Sequence, residues 1–361
     1  MRHRRVPPLV LVLLCAGTVA IGADQTDDYV KAEMQRQHIP GLSLAVVKDG
    51  KIIKAGGYGL ADMKLKTPAT PSTVYKIGSV SKQFIATGIM LLVQDRQLGL
   101  DDPIRQYLEG TPAAWNGITI RHLLTHTSGL VREVPGYDPF KIQKDADVIE
   151  AAYRVPLNSA PGARYEYSNA GYFALAEIIR KVSHRPWNEY LSERVFKPAG
   201  MNTTHPTNTT EAVSDRAAGY SDNDKLRDAV VWLALRPSGA FLSTVLDLAK
   251  WDAALYTDTV LRDASRREMW TPVPLNNSGF YPYGFGWELD SLNGHRQVHH
   301  GGGVPGFLSE FARYVDDRLT VIVLMNLDDA DVEKIANGVA GFFLPGPVPA
   351  RDSKDTRQTP H

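Results

Sequence analysis

Residues 77–84 read "IGSVSKQF", two serines and a lysine at the head of a long amphipathic helical pattern. Ser79 and Lys82 are three apart and share a helix face, whereas Ser81 and Lys82 are adjacent and diverge. If either serine uses the lysine, it is Ser79. A helix N-terminus exposes unpaired N–H groups and a partial positive charge, which suits an oxyanion and disfavours a cation by about 0.3–1 kcal/mol. Lys82 is therefore poorly placed as a purely structural residue. With some burial its pKa would fall, and it could act as a base toward a serine hydroxyl. The competing reading is a serine cap with a stray charge, and one Ser-x-x-Lys spacing is expected by chance in about this length of chain.

Outward from this stretch, helical periodicity dominates from about 79 to 190. Ile85, Ile89, Leu92 and Val93 form an apolar face, Gly99 offers a C-terminal stop, and Asp102-Pro103 offers a cap and first helical residue. Before it, "DQTDDYVKAEMQRQHIP" reads as a short helix ending before Pro40, and "LSLAVVKDGKIIKAGGYG" as a hairpin turning at Asp49-Gly50. Far downstream, "FLSEFARYVDDRLTVIVLMNL" gives two more strands around Asp316-Asp317, then a helix from about 331 to 343. The predicted architecture is an α/β fold of the α+β type. A sheet built from both chain ends is flanked by terminal helices, over about 24–78 and 235–345, with a mostly helical part inserted at about 79–234. Residues 201–229 read as a polar surface excursion, and 346–361 as a disordered tail.

The 361 residues are 43% hydrophobic and 22% charged, enough for a large core, and 40 Lys plus Arg balance 40 Asp plus Glu. No global field favours nucleic acid or an anionic membrane. The N-terminal "MRHRRVPPLVLVLLCAGTVAIGADQ" has a basic start, an apolar run shorter than the roughly 20 residues of a membrane span, and small residues suited to cleavage near Ala23. It predicts export to the periplasm or the medium, with residues 1–23 removed; an uncleaved anchor is the alternative. The single cysteine, Cys15, lies within that segment, so no disulfide or thiol chemistry is expected of the mature chain.

Two further constellations carry candidate chemistry. In "PGARYEYSNAGYFALAEIIRKV", Tyr167 and Asn169 precede an apolar helix. Either Tyr167 packs and Asn169 caps, or Tyr167 is a proton shuttle and the Asn169 amide fixes the lysine or the substrate. A phenol titrates near about 10, and the charge of Lys82 is the expected means of lowering it. "RQVHHGGGVPGFLSEFARYV" contains Gly301-x-Gly303-x-x-Gly306, but Pro305 and alternating strand residues replace the helix of a dinucleotide site. Its glycines leave backbone open, either as a plain hairpin or as an edge where substrate meets N–H donors. His122 and His126, four apart, could hold a metal with His299 or His300, yet the glutamate of a zinc-protease helix is absent. No Gly-x-Ser-x-Gly occurs.

Ser79-x-x-Lys82, Tyr167-x-Asn169 and His300-Gly301-Gly302, in this order, resemble the motifs of the serine β-lactamase and penicillin-binding family, in its class C-like branch with DD-peptidases and esterases. The stretches "TIRHLLTHTSGL", "YGFGW" and "HGGGVPGF" are similar too. The resemblance spans about 28–343 and implies an antiparallel sheet beside a helical region, with the site between them. It implies Ser79 as acylated nucleophile, Lys82 and Tyr167 sharing the proton work, Asn169 on the substrate amide, and an oxyanion hole from the N–H groups of Ser79 and Gly303. His300 stands where class C enzymes carry the lysine of Lys-Thr-Gly, and His299 is the competing alignment. A partly charged histidine predicts weaker or pH-dependent anchoring of a substrate carboxylate. The expected function is hydrolysis of a small ester, amide or peptide through acyl-Ser79, with no metal or organic cofactor. The alternatives are a D-Ala-D-Ala peptidase or weak β-lactamase, and a non-catalytic binder of peptidoglycan-like ligands.

Overall fold

The computed structural model describes residues 17–138, 143–206, 214–222, 226–228, 236–239 and 241–346. Seven antiparallel strands form the main sheet: β1 (Gly41–Lys48), β2 (Lys51–Asp62), β3 (Thr67–Pro68), β4 (Glu288–Leu292), β5 (His295–Val304), β6 (Phe307–Tyr314) and β7 (Leu319–Met325). Their spatial order is β4-β5-β6-β7-β1-β2-β3, so the two ends of the chain meet where β7 pairs with β1. Asp49 and Gly50 both have positive φ, 51° and 73°, the turn whose twist matches the strands it joins.

Successive side chains point to opposite faces and both faces are covered, so β1 and β7 are apolar apart from Ser43, Lys48 and Thr320. Leu42, Leu44 and Val46 with Val321, Val323 and Met325 face the terminal helices α1 (Gly17–Arg36) and α5 (Val332–Gly341), through Val30, Met34, Ile335 and Val339. Ala45, Val47, Ile322 and Leu324 face the opposite way, into the larger core shared with the helical region. Each fully buried aliphatic side chain contributes about 1.5–3 kcal/mol relative to exposure. In that region α2 (Lys82–Gln94) follows a 3₁₀ turn at Gly78–Ser81, α3 spans Ile120–Leu124, and α4 spans Asn169–Ser183. Phe84 of α2 packs against Phe196 and Trp251 at centroid distances of 5.1 and 5.3 Å.

Four sequence expectations are corrected here. Helix α1 begins at Gly17, earlier than expected, and continues through the segment assigned to the export signal; residues 1–16 lie outside the described residues. Helix α2 ends at Gln94, where Arg96 takes φ 58°, so Gly99 is not its stop. Asp102 caps no α-helix: its Oδ2 accepts from Gly99 N–H at 2.6 Å and Tyr107 O–H at 2.5 Å, and a single 3₁₀ turn follows at Ile104–Gln106. The excursion at 201–229 is tied into the body at several points. His205–Pro206 pairs with Phe241–Ser243, and buried Tyr220 exchanges backbone hydrogen bonds with Asn326 and Asp328. The tail beyond Gly346 lies outside the described residues.

Candidate active site

The 3₁₀ turn at 78–81 is pressed against the end of β5. A Cβ on Gly78, whose φ is 49°, would meet Gly303 N at 2.7 Å, and one on Gly302 would meet Ile77 O at 2.2 Å. Both approaches require glycine. Ser309 on β6 donates its hydroxyl to Ile77 O at 2.8 Å and pins the same turn. Ser79 emerges half-buried from this turn, whereas Ser81 is fully buried and accepts Phe241 N–H through Oγ at 3.3 Å. The two serines therefore diverge as the helix spacing predicts.

Lys82 Nζ lies 3.1 Å from Ser79 Oγ, 2.9 Å from Asn169 Oδ1 and 2.7 Å from Ser238 O. The side chain is wholly buried. Burial, reinforced by the charge of Arg236, lowers its pKa well below that of an ordinary amine, and Glu133 only partly opposes this. Two of the three neighbours are pure acceptors. A neutral amine gives its two N–H bonds to Asn169 and Ser238 and keeps its lone pair for the Ser79 hydroxyl.

Asn169 is the first residue of α4, but the cap is Ser168, whose Oγ accepts Gly171 N–H at 3.0 Å. The reading of Asn169 as a cap is thus corrected, and its amide is free to hold Lys82. Its Nδ2 donates to Glu133 Oε1 at 2.6 Å, and the same oxygen accepts from the buried Arg236. Arg236 Nε donates to Ser238 Oγ at 2.8 Å, which closes a ring of contacts around the lysine.

Tyr167 donates its hydroxyl to Ser79 Oγ at 2.8 Å. Burial raises its pKa above that of a free phenol, and Glu288 adds to the effect, despite the hydrogen bond to Ser79 and the charges of Arg132 and Arg236. The expectation that Lys82 lowers this phenol is overturned, because burial removes the very charge that was to act. Tyr167 is a neutral donor. Its ring lies 4.3 Å from that of buried His126, whose Nδ1 accepts Ser168 N–H at 3.0 Å. Arg132 O accepts Asn169 N–H at 2.9 Å, so the stretch following "TIRHLLTHTSGL" positions the Tyr167 segment by backbone contacts.

His300 departs most from expectation. It is buried on β5, and burial pushes its pKa down to about 3. Its Nδ1 lies 2.6 Å from Gly301 O, an acceptor, so that nitrogen carries the proton. Nε2 then accepts from Tyr283 O–H at 3.0 Å. The imidazole is neutral with both nitrogens occupied, so of the two expectations the pH-dependent cationic anchor is corrected, and weak anchoring of a carboxylate is what remains. The cationic tendency belongs to His299: burial opposes it, but Glu310 at 3.0 Å, helped by Glu288, raises the pKa to about 8. Gly301, Gly302 and Gly303 bring only backbone to this side of the cleft.

Glu133, Arg236, Ser238 and Tyr283 do not stand out in the sequence. Tyr283 alone has a signal there, the "YGFGW" stretch. The paired histidines do not converge on a metal. His122 Nδ1 accepts Thr119 N–H at 3.2 Å within the cap of α3, away from the tyrosines around His126. Among the described residues no three His, Cys, Asp or Glu side chains gather as a metal site.

Comparison with known proteins identifies the family and the fold. Residues 26–341 match the family described as Beta-lactamase. Penicillin-binding protein 4* of Bacillus subtilis (strain 168) is 34% identical over 343 residues, covering 88% of this chain and 75% of that protein. Among solved structures, the octameric penicillin-binding protein homologue from Pyrococcus abyssi superposes with a TM-score of 0.81 at 26% identity, covering 90% of this chain and 78% of the other. The D-amino acid amidase from Ochrobactrum anthropi SV3, complexed with D-phenylalanine, gives 0.78 at 26% identity, covering 90% and 98%. With its antiparallel sheet beside a helical region and a serine, lysine and tyrosine in contact between them, the chain belongs to the beta-lactamase family and is a serine hydrolase.

Proposed function

We propose that the enzyme cleaves a small ester or amide through an acyl intermediate on Ser79. The observation that carries this reading is the setting of Lys82, a buried amine held by two acceptors with its third direction toward Ser79 Oγ. Lys82 Nζ takes the Ser79 proton as Oγ bonds to the substrate carbonyl carbon. The oxyanion forms between the N–H groups of Ser79 and Gly303, at about 3 kcal/mol per donor. Tyr167 gives its proton to the departing alcohol or amine, and the proton on Lys82 replaces it. Water then attacks the acyl carbon and gives a proton to Lys82, and the Tyr167 and Lys82 pair returns that proton to Ser79 Oγ as the acyl–oxygen bond breaks, freeing Ser79 and the acid.

The third motif favours esters and amides over β-lactams. In the resemblance, a lysine at this position faces the substrate carboxylate; here His300 is neutral and occupied, and Gly301 brings no hydroxyl. A second reading, a peptidase of D-Ala-D-Ala type or a weak β-lactamase, is favoured by the similarity to a penicillin-binding protein and a D-amino acid amidase. A panel of p-nitrophenyl esters, D-amino-acid amides and nitrocefin, run on wild type and Ser79→Ala, tests these readings. Turnover of the esters or amides, lost in the variant, is expected. Nitrocefin turnover exceeding theirs would favour the second reading. Wild-type rates in Ser79→Ala would end both, and no turnover of any substrate would return the non-catalytic binder. The basic and apolar N-terminal residues support export, which a mature N-terminus near residue 23 would verify.

A further inference from the structure

The cleft is left with an unusual charge pattern once His300 is neutral. Lys82 is buried and has its pKa lowered, and Arg236 is buried against Glu133. The sheet-edge side carries a carboxylate, Glu288, half exposed and 3.9 Å from His300 Nδ1. On the helical side stands Arg132, an exposed residue whose guanidinium carbon lies 5.0 Å from the centroid of the Tyr167 ring. Tyr167 in turn contacts Ser79. The backbone of Arg132 is fixed by Asn169 N–H. Among the described residues no carboxylate pairs with it: its sequence neighbour Glu133 is taken by Asn169 and Arg236. A permanent cation against the ring of the tyrosine that contacts Ser79, with donors to spare, is equipped to bind a carboxylate.

We propose that Arg132 selects substrates bearing an anionic group on the acyl side, so that the positive charge expected at the third motif is supplied from the helical wall instead. The acyl side is indicated because Arg132 adjoins Asn169, to which the family resemblance gives the substrate amide. Glu288 on the other wall disfavours an anionic leaving group. The proposal rests on the hydrolase reading above and narrows it to acyl chains ending in carboxylate.

The test compares 4-nitrophenyl hydrogen adipate, with an anionic acyl chain, and 4-nitrophenyl hexanoate, neutral and of the same length, on wild type, Arg132→Gln and Arg132→Lys. Arg132→Gln is expected to lower kcat/KM for the adipate about tenfold, through KM, and to leave the hexanoate within about twofold. Arg132→Lys should keep part of the preference, and salt near about 0.5 M should weaken it in the wild type. Equal losses on both esters would overturn the proposal in favour of a structural role, and an unchanged preference in Arg132→Gln would also overturn it. Failure of the hydrolase reading shows itself separately, as hexanoate turnover that is absent or survives Ser79→Ala.

Discussion

The two walls that meet at Ser79 are built in opposite ways. The helical wall concentrates polar side chains, the buried Lys82, Asn169 and Arg236 with the more exposed Glu133 and Tyr167, hydrogen-bonded to one another and to Ser79. The sheet wall, along β5, offers glycine backbone, and its buried His300 is sealed by Tyr283 and Gly301. Proton chemistry and charge recognition are thus gathered on one wall, and the other supplies shape and N–H donors. A buried polar cluster of this kind is tolerable only when complete, since an unpaired member costs about 1–3 kcal/mol.

The contrast can be broken most severely on the helical wall. Lys82→Arg keeps a cation but removes the possibility of a neutral base, and kcat should fall by at least about a thousandfold in ester turnover. Retention of a tenth of the activity by the Lys82→Arg variant would contradict the base assignment. Tyr167→Phe deletes only the donor to Ser79 and the leaving group, with an expected loss of about a hundredfold.

On the sheet wall the sensitive element is backbone. Gly302→Ala places a methyl 2.2 Å from Ile77 O and so displaces the turn that carries Ser79. A fall in kcat of about ten- to a hundredfold is expected, with a lower melting temperature. A variant with unchanged kcat would show that this contact does not position the nucleophile.

Smaller effects separate the two walls by pH. Activity should rise with pH as Lys82 loses its proton, and the acid limb should lie well below the range of a free lysine. Because His300 titrates near about 3, no inflection from it is expected between about pH 5 and 9, and a carboxylate-bearing substrate should not be lost above neutrality. A loss confined to such substrates above about pH 7 would restore a cationic His300.

His299 should instead appear in stability. Its folded pKa, about 8, is raised above the roughly 6.5 of an unfolded histidine. Its contribution is therefore complete below about pH 6.5 and lost as pH rises through about 8. Melting curves should show a decline of about 1–2 kcal/mol across that window, absent in His299→Gln. A stability independent of pH from about 6 to 9 in the wild type would argue against a charged His299.

What sequence could reveal follows the same division. The 3.6-residue period pairs Ser79 with Lys82 rather than Ser81, and the period of two exposes both faces of β1 and β7, because these relations are local. The groups that bond or surround Lys82 come from residues 133, 169, 236 and 238, whose meeting depends on tertiary packing. No local pattern marks Glu133 or Arg236. The charge of His300 escapes a sequence reading for a related reason: it depends on burial and on Tyr283, seventeen residues away. Arg96 at φ 58° shows that a helix can end without its expected glycine once packing fixes the turn.

Acylation of Ser79 is the claim on which the roles of both walls depend. Peptide mass spectrometry of the protein treated with a fluorophosphonate should find the adduct on the Ser79 side chain in the wild type and none in Ser79→Ala. An adduct on Ser81, or labelling that persists at full extent in Ser79→Ala, would contradict it.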